Sequence, residues 1–273
     1  MNDQRSRSEF TDVDHASKPE HYVQLLDVQQ NMAFVQMCKW RARALLDLHP
    51  GLRVLDVGIG TGEDAREMAK RVAPTGEVVG LDLSQIMVDI ARQRSIDTNL
   101  PVRFTQGDVQ DLPFADTSFD RCYADKTFLH VPDPRLALVE LLWVTRPGGL
   151  LVTVDGDQET QVLDTPYPDV TRRFFRFRND GMQQPSIAHH MYALFKEFGI
   201  VDVQVEPLTR VTTDYESIQP VAHFIEGIGS AQQNGVVTAE EAGQWIAYLE
   251  EAMRTGRFFH SITWFITTGR KPM

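Results

Sequence analysis

The chain has 273 residues, of which 42% are hydrophobic and 24% are charged, and its net charge is −11. A chain of this length buries enough apolar surface to fold without disulfides or structural metal ions, and it predicts one or two domains. The excess of acidic over basic residues argues against nucleic acid and anionic membranes as partners, because both attract basic surfaces.

The two cysteines, Cys38 and Cys122, lie far apart in apolar stretches of the sequence. This pattern predicts buried thiols and excludes a disulfide framework or a cysteine-rich zinc site. The polar N-terminus contains no apolar signal region, and no apolar run reaches the ~18 residues of a membrane span. We therefore expect a cytoplasmic protein with no membrane partner and no metal.

The region from Tyr22 to Leu48 carries apolar residues near helical spacing, which predicts one or two amphipathic helices. We expect residues 1–50 to form a helical cap, 51–157 the core, and 158–273 the rest of the sheet with helical lid insertions. The cap also offers a surface through which a homo-oligomer would form.

Beyond residue 52, short apolar strands alternate with helical stretches. The predicted strands are Arg53–Val57, Glu77–Leu81, Val102–Gln106, Phe119–Ala124 and Leu150–Val154, and the predicted helices between them are Glu63–Ala73, Ser84–Arg94 and Asp133–Thr145. Such alternation is typical of an α/β fold with a doubly wound, mostly parallel sheet that is covered on both faces.

The C-terminal part of the chain is less regular. We predict a loop or irregular helix over residues 158–184, helices between 214 and 256, and three further elements at Ser186–Phe198 (helix), Ile200–Glu206 (strand) and Phe258–Thr267 (strand). With these two strands the sheet would have seven. The aromatic residues of the predicted lid favour a small, largely apolar substrate.

The sharpest motif is the glycine-rich turn between the first strand and the helix that follows, Gly58-Ile59-Gly60-Thr61-Gly62. Ligands of doubly wound sheets bind at the carboxyl ends of the strands, and glycines let the backbone approach a ligand closely. The next strand ends at Asp82, whose carboxylate can accept hydrogen bonds from both hydroxyls of a ribose. Together these features predict a nucleoside-containing cofactor.

The residue after this turn decides between two cofactor classes. The dinucleotide fingerprint G-x-G-x-x-G has a third glycine where this chain has Glu63. A carboxylate at the start of a helix repels a pyrophosphate, which the helix dipole otherwise attracts. It does not repel S-adenosyl-L-methionine, which is a cation without phosphate. An NAD-type oxidoreductase is therefore the less favoured alternative.

Several motifs follow in order between Val54 and Val154. They are Leu55-Asp56-Val57-Gly58-Ile59-Gly60-Thr61-Gly62, Gly80-Leu81-Asp82-Leu83-Ser84, Gly107-Asp108-Val109, Leu112-Pro113-Phe114, Ser118-Phe119-Asp120 and Arg146-Pro147-Gly148-Gly149. This segment resembles the class I S-adenosylmethionine-dependent methyltransferases, and within them the ubiquinone/menaquinone-biosynthesis-like (type 11) group. The flanks, which are more than half of the chain, do not carry the resemblance.

The resemblance implies how the methionine end of the cofactor is held. Gly58 and Gly60 would lie beneath the methionine portion, and Asp56 would steady their loop. Asp125 or Lys126, directly after the fourth strand, would border the methionine end.

The resemblance also implies how the nucleoside end is held. Asp82 would take the ribose hydroxyls, and Leu83 and Met87 would pack on the adenine. In the Gly107-Asp108-Val109 segment, the Asp108 side chain would bind the exocyclic amine of adenine and the Val109 N–H its ring, although Asp108 also suits the role of a turn cap. The product would be S-adenosyl-L-homocysteine.

The acceptor side has fewer signals. His130 follows the fourth strand, and a histidine here serves as general base in family members that methylate hydroxyls, so we name it and Asp157 as catalytic candidates. Either Asp155 or Asp157 would orient His130 or a substrate, and His130 equally suits a structural role as a helix cap or spacer. Further histidines in the predicted lid are alternatives, namely His189, His190 and His223.

The sequence therefore predicts a methyltransferase that acts on a small molecule, by O- or C-methylation, in the biosynthesis of specialised metabolites. Apart from the NAD-type enzyme, it leaves open a scaffold or cyclase that binds the cofactor without transferring its methyl group.

Overall fold

The computed structural model describes residues 12–273, so the start of the predicted 1–50 cap lies outside the described residues. One seven-stranded sheet forms its centre, in the order β3-β2-β1-β4-β5-β7-β6. The strands are β1 (Arg53–Val57), β2 (Glu77–Asp82), β3 (Val102–Gln106), β4 (Phe119–Asp125), β5 (Thr145–Leu163), β6 (Val201–Thr212) and β7 (His260–Arg270).

Ten α-helices and two short 3-10 turns, Val13–His15 and Phe128–His130, surround this sheet in the described residues. The helices are α1 (Pro19–Gln30), α2 (Ala33–Leu45), α3 (Glu63–Val72), α4 (Gln85–Gln93), α5 (Pro134–Val144), α6 (Pro168–Asp180), α7 (Ile187–Glu197), α8 (Gln219–Ala222), α9 (Phe224–Gln233) and α10 (Ala239–Arg254). None of them is both long and apolar enough to cross a bilayer.

The strand directions confirm the predicted α/β fold with a mostly parallel, doubly wound sheet. The first five strands run parallel, while β7 is antiparallel to both of its neighbours. β1 lies between β2 and β4, so the strand order reverses beside it. A reversal of this kind opens a crevice at the carboxyl ends of the strands, where ligands of such sheets bind.

Two apolar cores cover the faces of the sheet and a third joins the C-terminal helices. On one face α5 and α7 pack against the strands, and on the other α2, α3 and α4 do so. The third core is built from α6, α8, α9 and α10 around the buried side chains of Phe174, Phe224 and Trp245. This helical cluster stands beside the β5–β7–β6 half of the sheet, as the contacts of α6 with β5 show.

The structure corrects the prediction for the start of segment 158–184. Residues 158–163 continue β5, where Val162 and Leu163 pair with Ser261 and His260 after a register shift, and α6 follows from Pro168. Their strand conformation depends on hydrogen bonds to β7, about a hundred residues away, so local sequence patterns do not reveal it. β6 and β7 likewise extend beyond their predicted ends.

Of the two N-terminal helices, α2 packs against the sheet, whereas α1 has no buried residue and contacts α2 and α8 instead. Val35, Cys38 and Ala42 of α2 are buried there. The homo-oligomer through these helices stays a prediction, as do the three domain limits.

Candidate active site

A cavity of about 830 Å³ lies at the carboxyl ends of the parallel strands. The sequence analysis names thirteen residues as cofactor-binding candidates or as the catalytic candidates His130 and Asp157. Twelve of them line the cavity: Asp56, Gly58, Gly60, Asp82, Leu83, Met87, Gly107, Asp108, Val109, Asp125, Lys126 and His130. Asp157 does not line it. In the described residues no group of three or more histidine, cysteine, aspartate or glutamate side chains is arranged to hold a metal ion.

The glycine turn forms one wall of the cavity. Gly58 and Gly60 have φ angles of 71° and 51°, a region that costs a residue with a Cβ, and the Gly58 N–H donates to the Leu81 carbonyl at 2.8 Å. A Cβ on Gly58 would overlap the Thr127 side chain, and one on Gly60 would lie 2.9 Å from Leu26 Cδ1. The turn therefore keeps its backbone open to the cavity only with glycine at these two positions.

Asp82 connects the end of β2 to this turn. Its carboxylate accepts hydrogen bonds from the backbone N–H groups of Gly60, at 2.8 Å, and Ser84, at 3.0 Å. Burial outweighs these bonds and raises the pKa of Asp82 to about 6. A carboxylate oxygen can accept more than one hydrogen bond, so Asp82 can still take donors from a ligand in the cavity.

An N-terminal residue that the sequence analysis missed binds the start of α4, next to Val13 of the cavity lining. Asp14, in the first 3-10 turn, accepts hydrogen bonds from the Gln85 N–H at 2.8 Å, the Ile86 N–H at 3.3 Å and the Ser84 hydroxyl. It thereby caps α4 from a distant part of the chain, and these bonds overcome its partial burial to lower its pKa. No local sequence pattern predicts a contact between such distant segments.

The predicted adenine region combines apolar side chains with a capped turn. Met87 is buried, whereas Leu83 lines the cavity with 48% of its surface exposed. The Asp108 carboxylate accepts a hydrogen bond from the Gln110 N–H at 2.8 Å, and the Gln110 side-chain amide donates to it as well. Asp108 therefore caps its own turn while it also borders the cavity, so the two readings of this residue are compatible.

A buried network of charges lies beneath the glycine turn. Lys39, on α2, forms ion pairs with Asp64 and with Asp125, the latter at 2.8 Å, and Arg43 pairs with Asp64 as well. Although burial disfavours its charged form, the carboxylates of Asp125 and Asp64 raise the pKa of Lys39. Lys39 follows Val35 by four residues within the apolar stripe of α2, which is the one sequence signal that could have revealed it.

Asp56 and Lys126 border this network. Among the described residues, Asp56 Oδ2 has no hydrogen-bond partner, and burial, with the neighbouring carboxylates, raises the pKa of Asp56 well above its usual value. No described hydrogen bond joins its side chain to the glycine turn. Lys126 Nζ donates to Gln29 Oε1 at 3.2 Å and lies 5.9 Å from the Trp264 ring, while burial lowers its pKa.

His130 and Asp157 are not brought together. Burial, and secondarily the charge of Lys126, lowers the pKa of His130 to about 4, so its ring is neutral at physiological pH. Asp157 is fully buried and binds α7 through the His189 ring and the His189 N–H at 3.2 Å. Successive side chains of a strand point to opposite faces, and it is Gly156 and Gln158 that line the cavity.

Asp155 contacts the segment that carries His130. Its Oδ1 accepts a hydrogen bond from the Leu129 N–H at 3.1 Å, within the 3-10 turn that ends at His130. Of the two aspartates considered in the sequence, Asp155 is therefore the one that holds this turn. Of the alternative histidines, His223 lines the cavity and His189 and His190 do not.

Comparison with known proteins adds a family match to this geometry. Residues 55–153 match a family described as "Methyltransferase domain". The chain is 34% identical over 227 residues to an uncharacterized 37.1 kDa protein in transposon TN4556 of Streptomyces fradiae, a match that covers 82% of this chain. The chain spans only 64% of the length of that relative.

A second relative and a solved structure have similar cores. Demethylmenaquinone methyltransferase of Staphylococcus aureus is 29% identical over 198 residues, covering 65% of this chain and 80% of the relative. The crystal structure of the YcgJ protein from Bacillus subtilis superposes with a TM-score of 0.60 and 22% identity, covering 87% of this chain and 99% of that one. At this identity the structural match establishes the fold alone.

Proposed function

Since this chain belongs to the class I S-adenosylmethionine-dependent methyltransferases of the type 11 group, we propose that it transfers a methyl group to a small, largely apolar molecule. The donor is S-adenosyl-L-methionine, and transfer to oxygen or carbon of the acceptor leaves S-adenosyl-L-homocysteine. We also propose that this methyl transfer is a step in the biosynthesis of a specialised metabolite. The observation that carries the proposed methyl transfer is the bond between the glycine turn and Asp82 at the edge of the cavity.

The residues of the cavity fit this cofactor. Asp56, Asp82, Asp108 and Asp125 line the cavity near the carboxyl ends of β1 to β4, and acidic groups favour a cation and disfavour a pyrophosphate. Gly58 and Gly60 leave their backbone accessible at the end of β1. When bound, S-adenosyl-L-methionine supplies an electrophilic methyl group on a positively charged sulfur.

The chain's own residues then have separable roles. Asp82 would bind the ribose hydroxyls, Leu83 and Met87 would contact the adenine, and Asp108 with Val109 would bind its polar edge. The Gly58–Gly60 turn would hold the methionine portion, bordered by Lys126. These residues would increase the rate by holding donor and acceptor in line and by excluding water. A displacement at a methyl group requires above all that the attacking atom, the methyl carbon and the sulfur are aligned.

The proposal is tested by binding and by label transfer. We expect the chain to bind S-adenosylhomocysteine in a calorimetric titration, and to move a labelled methyl group from S-adenosylmethionine into a product when acceptors are screened. Tight binding of NAD without binding of S-adenosylhomocysteine would overturn the proposal in favour of an oxidoreductase. Product formation without label would indicate a cyclase that uses the same cavity.

Substitution of Asp82 by alanine is expected to weaken S-adenosylhomocysteine binding by about 1–3 kcal/mol, because hydrogen-bond donors in the cavity lose their acceptor. Isothermal titration of wild type and variant measures the change. Asp89→Ala is the matched control, because Asp89 is an exposed aspartate on α4 that does not line the cavity. Unchanged affinity in Asp82→Ala would refute the ribose assignment.

The affinity for S-adenosylhomocysteine is also expected to fall as the pH drops through about 6, the pKa of Asp82. Hydroxyl donors favour the carboxylate over the protonated acid, so binding lowers this pKa and affinity must rise with pH until the group is ionised. Titrations between pH 5 and 8 check the slope. Asp82→Asn should lose this dependence and Asp89→Asn should keep it; a slope that persists in Asp82→Asn would assign it to another group.

A further inference from the structure

Two arginines at the far side of the cavity stand apart from the acidic cofactor region. Arg178, on α6, and Arg210, on β6, both line the cavity and are half-buried. The acidic residues of the cavity lie near the ends of β1 to β4, whereas Arg210 lies on β6 at the opposite edge of the sheet and Arg178 lies on α6, which contacts β5. The cavity therefore has one acidic end and one basic end.

Neither arginine has an acidic partner among residues 12–273. No ion pair joins Arg178 or Arg210 to a described carboxylate, and Arg210 Nε is buried without a hydrogen-bond partner there. The chain has 38 acidic and 27 basic residues, so carboxylates are not scarce. Buried charges are normally paired, and burial lowers the pKa of both guanidinium groups.

Aromatic rings hold the two side chains in place instead. The Arg178 guanidinium lies 5.6 Å from the Phe174 ring and 5.5 Å from the Phe224 ring, and that of Arg210 lies 6.0 Å from the Phe34 ring. Such contacts stabilise a cation and orient it without using its N–H donors. The donors of both arginines consequently remain available to a ligand.

His260 lies near both arginines: its ring is 5.1 Å from the Phe224 ring, which Arg178 also contacts, and Arg210 pairs with Ile262 two residues along β7. His260 begins β7 and pairs with Thr212, which stands two residues beyond Arg210 on the same face of β6. Its Nε2 is 3.2 Å from Gln161 Oε1. Burial, and then the charges of Arg210 and Arg178, lower the pKa of His260 to about 4.

We propose that Arg178 and Arg210 form the binding site for an oxyanion, a carboxylate or phosphate, on the methyl acceptor. That the bound molecule is the methyl acceptor rests on the proposed function, but the anion site itself does not. A planar guanidinium binds such groups through paired N–H donors, and two of them converge here on one part of the cavity. The apolar body of the acceptor would then lie against Phe224, Ile262 and Trp264, which line the same region.

The site can be tested with simple probes and no knowledge of the natural acceptor. Benzoate, phenyl phosphate and the neutral benzamide share a ring and differ in charge, so titrating the full chain with each, with and without S-adenosylhomocysteine, isolates the anion. We expect benzoate or phenyl phosphate to bind at least about tenfold more tightly than benzamide, since charge-assisted hydrogen bonds exceed neutral ones. The tighter of the two identifies a carboxylate or a phosphate as the group bound, and the ring resonances of His260 should shift on binding.

Variants then assign the preference to the two arginines. Arg178→Gln and Arg210→Gln should each reduce the preference for the anion about tenfold, while Arg176→Gln should not, because Arg176 is an exposed residue on the same helix that lies outside the cavity. Affinity for S-adenosylhomocysteine should be unchanged in all three, which also shows that each variant is folded. Arg178→Lys and Arg210→Lys keep the charge and should retain part of the preference.

The failures of the two proposals are distinguishable. If S-adenosylhomocysteine binds and neither anion is preferred over benzamide, the anion site is wrong and the proposed function stands. If the anions are preferred and S-adenosylhomocysteine does not bind, the proposed function is wrong and the anion site stands. An equal loss in Arg176→Gln would also overturn the assignment to Arg178 and Arg210.

Discussion

Substitution of Lys39 by methionine is expected to lower the free energy of unfolding by about 3–5 kcal/mol, the usual effect of removing one partner of a buried ion pair. Lys39 is 5% exposed and lies between Asp64 and Asp125. Methionine keeps most of the aliphatic side chain, so the loss is chiefly one of charge. With the ammonium gone, Asp64 retains Arg43, but Asp125 loses its only described ion pair.

Urea denaturation at neutral pH measures this change, with the m-value as a check that the unfolding transition is otherwise the same. Lys70→Met is the matched control, because Lys70 is an exposed lysine that pairs with Glu67 on the surface of α3, and it should change stability by no more than about 0.5 kcal/mol. The loss in Lys39→Met should shrink as the pH falls, since the carboxylates left without a partner can then become protonated. Equal stability of the two variants would contradict the role of this network.

The residues that the sequence could identify are those whose position is fixed locally. The Gly58–Gly60 turn and Asp82 each follow directly from the end of a short apolar strand, and parallel strands bring their carboxyl ends to one edge of the sheet. Strand and helix limits between residues 53 and 144 were therefore predicted closely, and Ser84 caps α4 as its place before the helix suggests.

The residues that the sequence could not identify depend on contacts between distant segments. Lys39 meets Asp125 through the packing of α2 on the sheet, and Arg178 comes near His260 because both side chains lie against the Phe224 ring. The choice between Asp155 and Asp157 depends on what covers the buried face of β5, which the sequence of β5 does not specify. Asp155 meets the His130 turn there, and Asp157 meets α7.

The structure also changes what His130 can do. A neutral ring accepts a proton, but a pKa of about 4 makes it a weak base, because efficient general bases have pKa values near the working pH. Much of this shift comes from burial and the charge of Lys126.

For an acceptor that is methylated on a hydroxyl, His130→Ala is accordingly expected to slow the transfer roughly 10²- to 10⁴-fold. Single-turnover measurement with labelled S-adenosylmethionine isolates the chemical step from product release. In wild type the rate should be level above about pH 5 and fall as the pH drops through the pKa of about 4, because only the neutral ring can accept the proton. A carbon acceptor that needs no base before transfer would show neither effect.

The matched control is His190→Ala, because His190 is an exposed histidine on α7 that lies outside the cavity and should leave the rate unchanged. Asp155→Asn tests the positioning of the His130 turn, since asparagine keeps an oxygen that can accept from the Leu129 N–H. It should change the rate far less than Asp155→Ala, which removes that acceptor and frees the turn. If His130→Ala stays within a few-fold of wild type on a hydroxyl acceptor, His130 is not the base, and the burial that keeps its ring neutral serves packing alone.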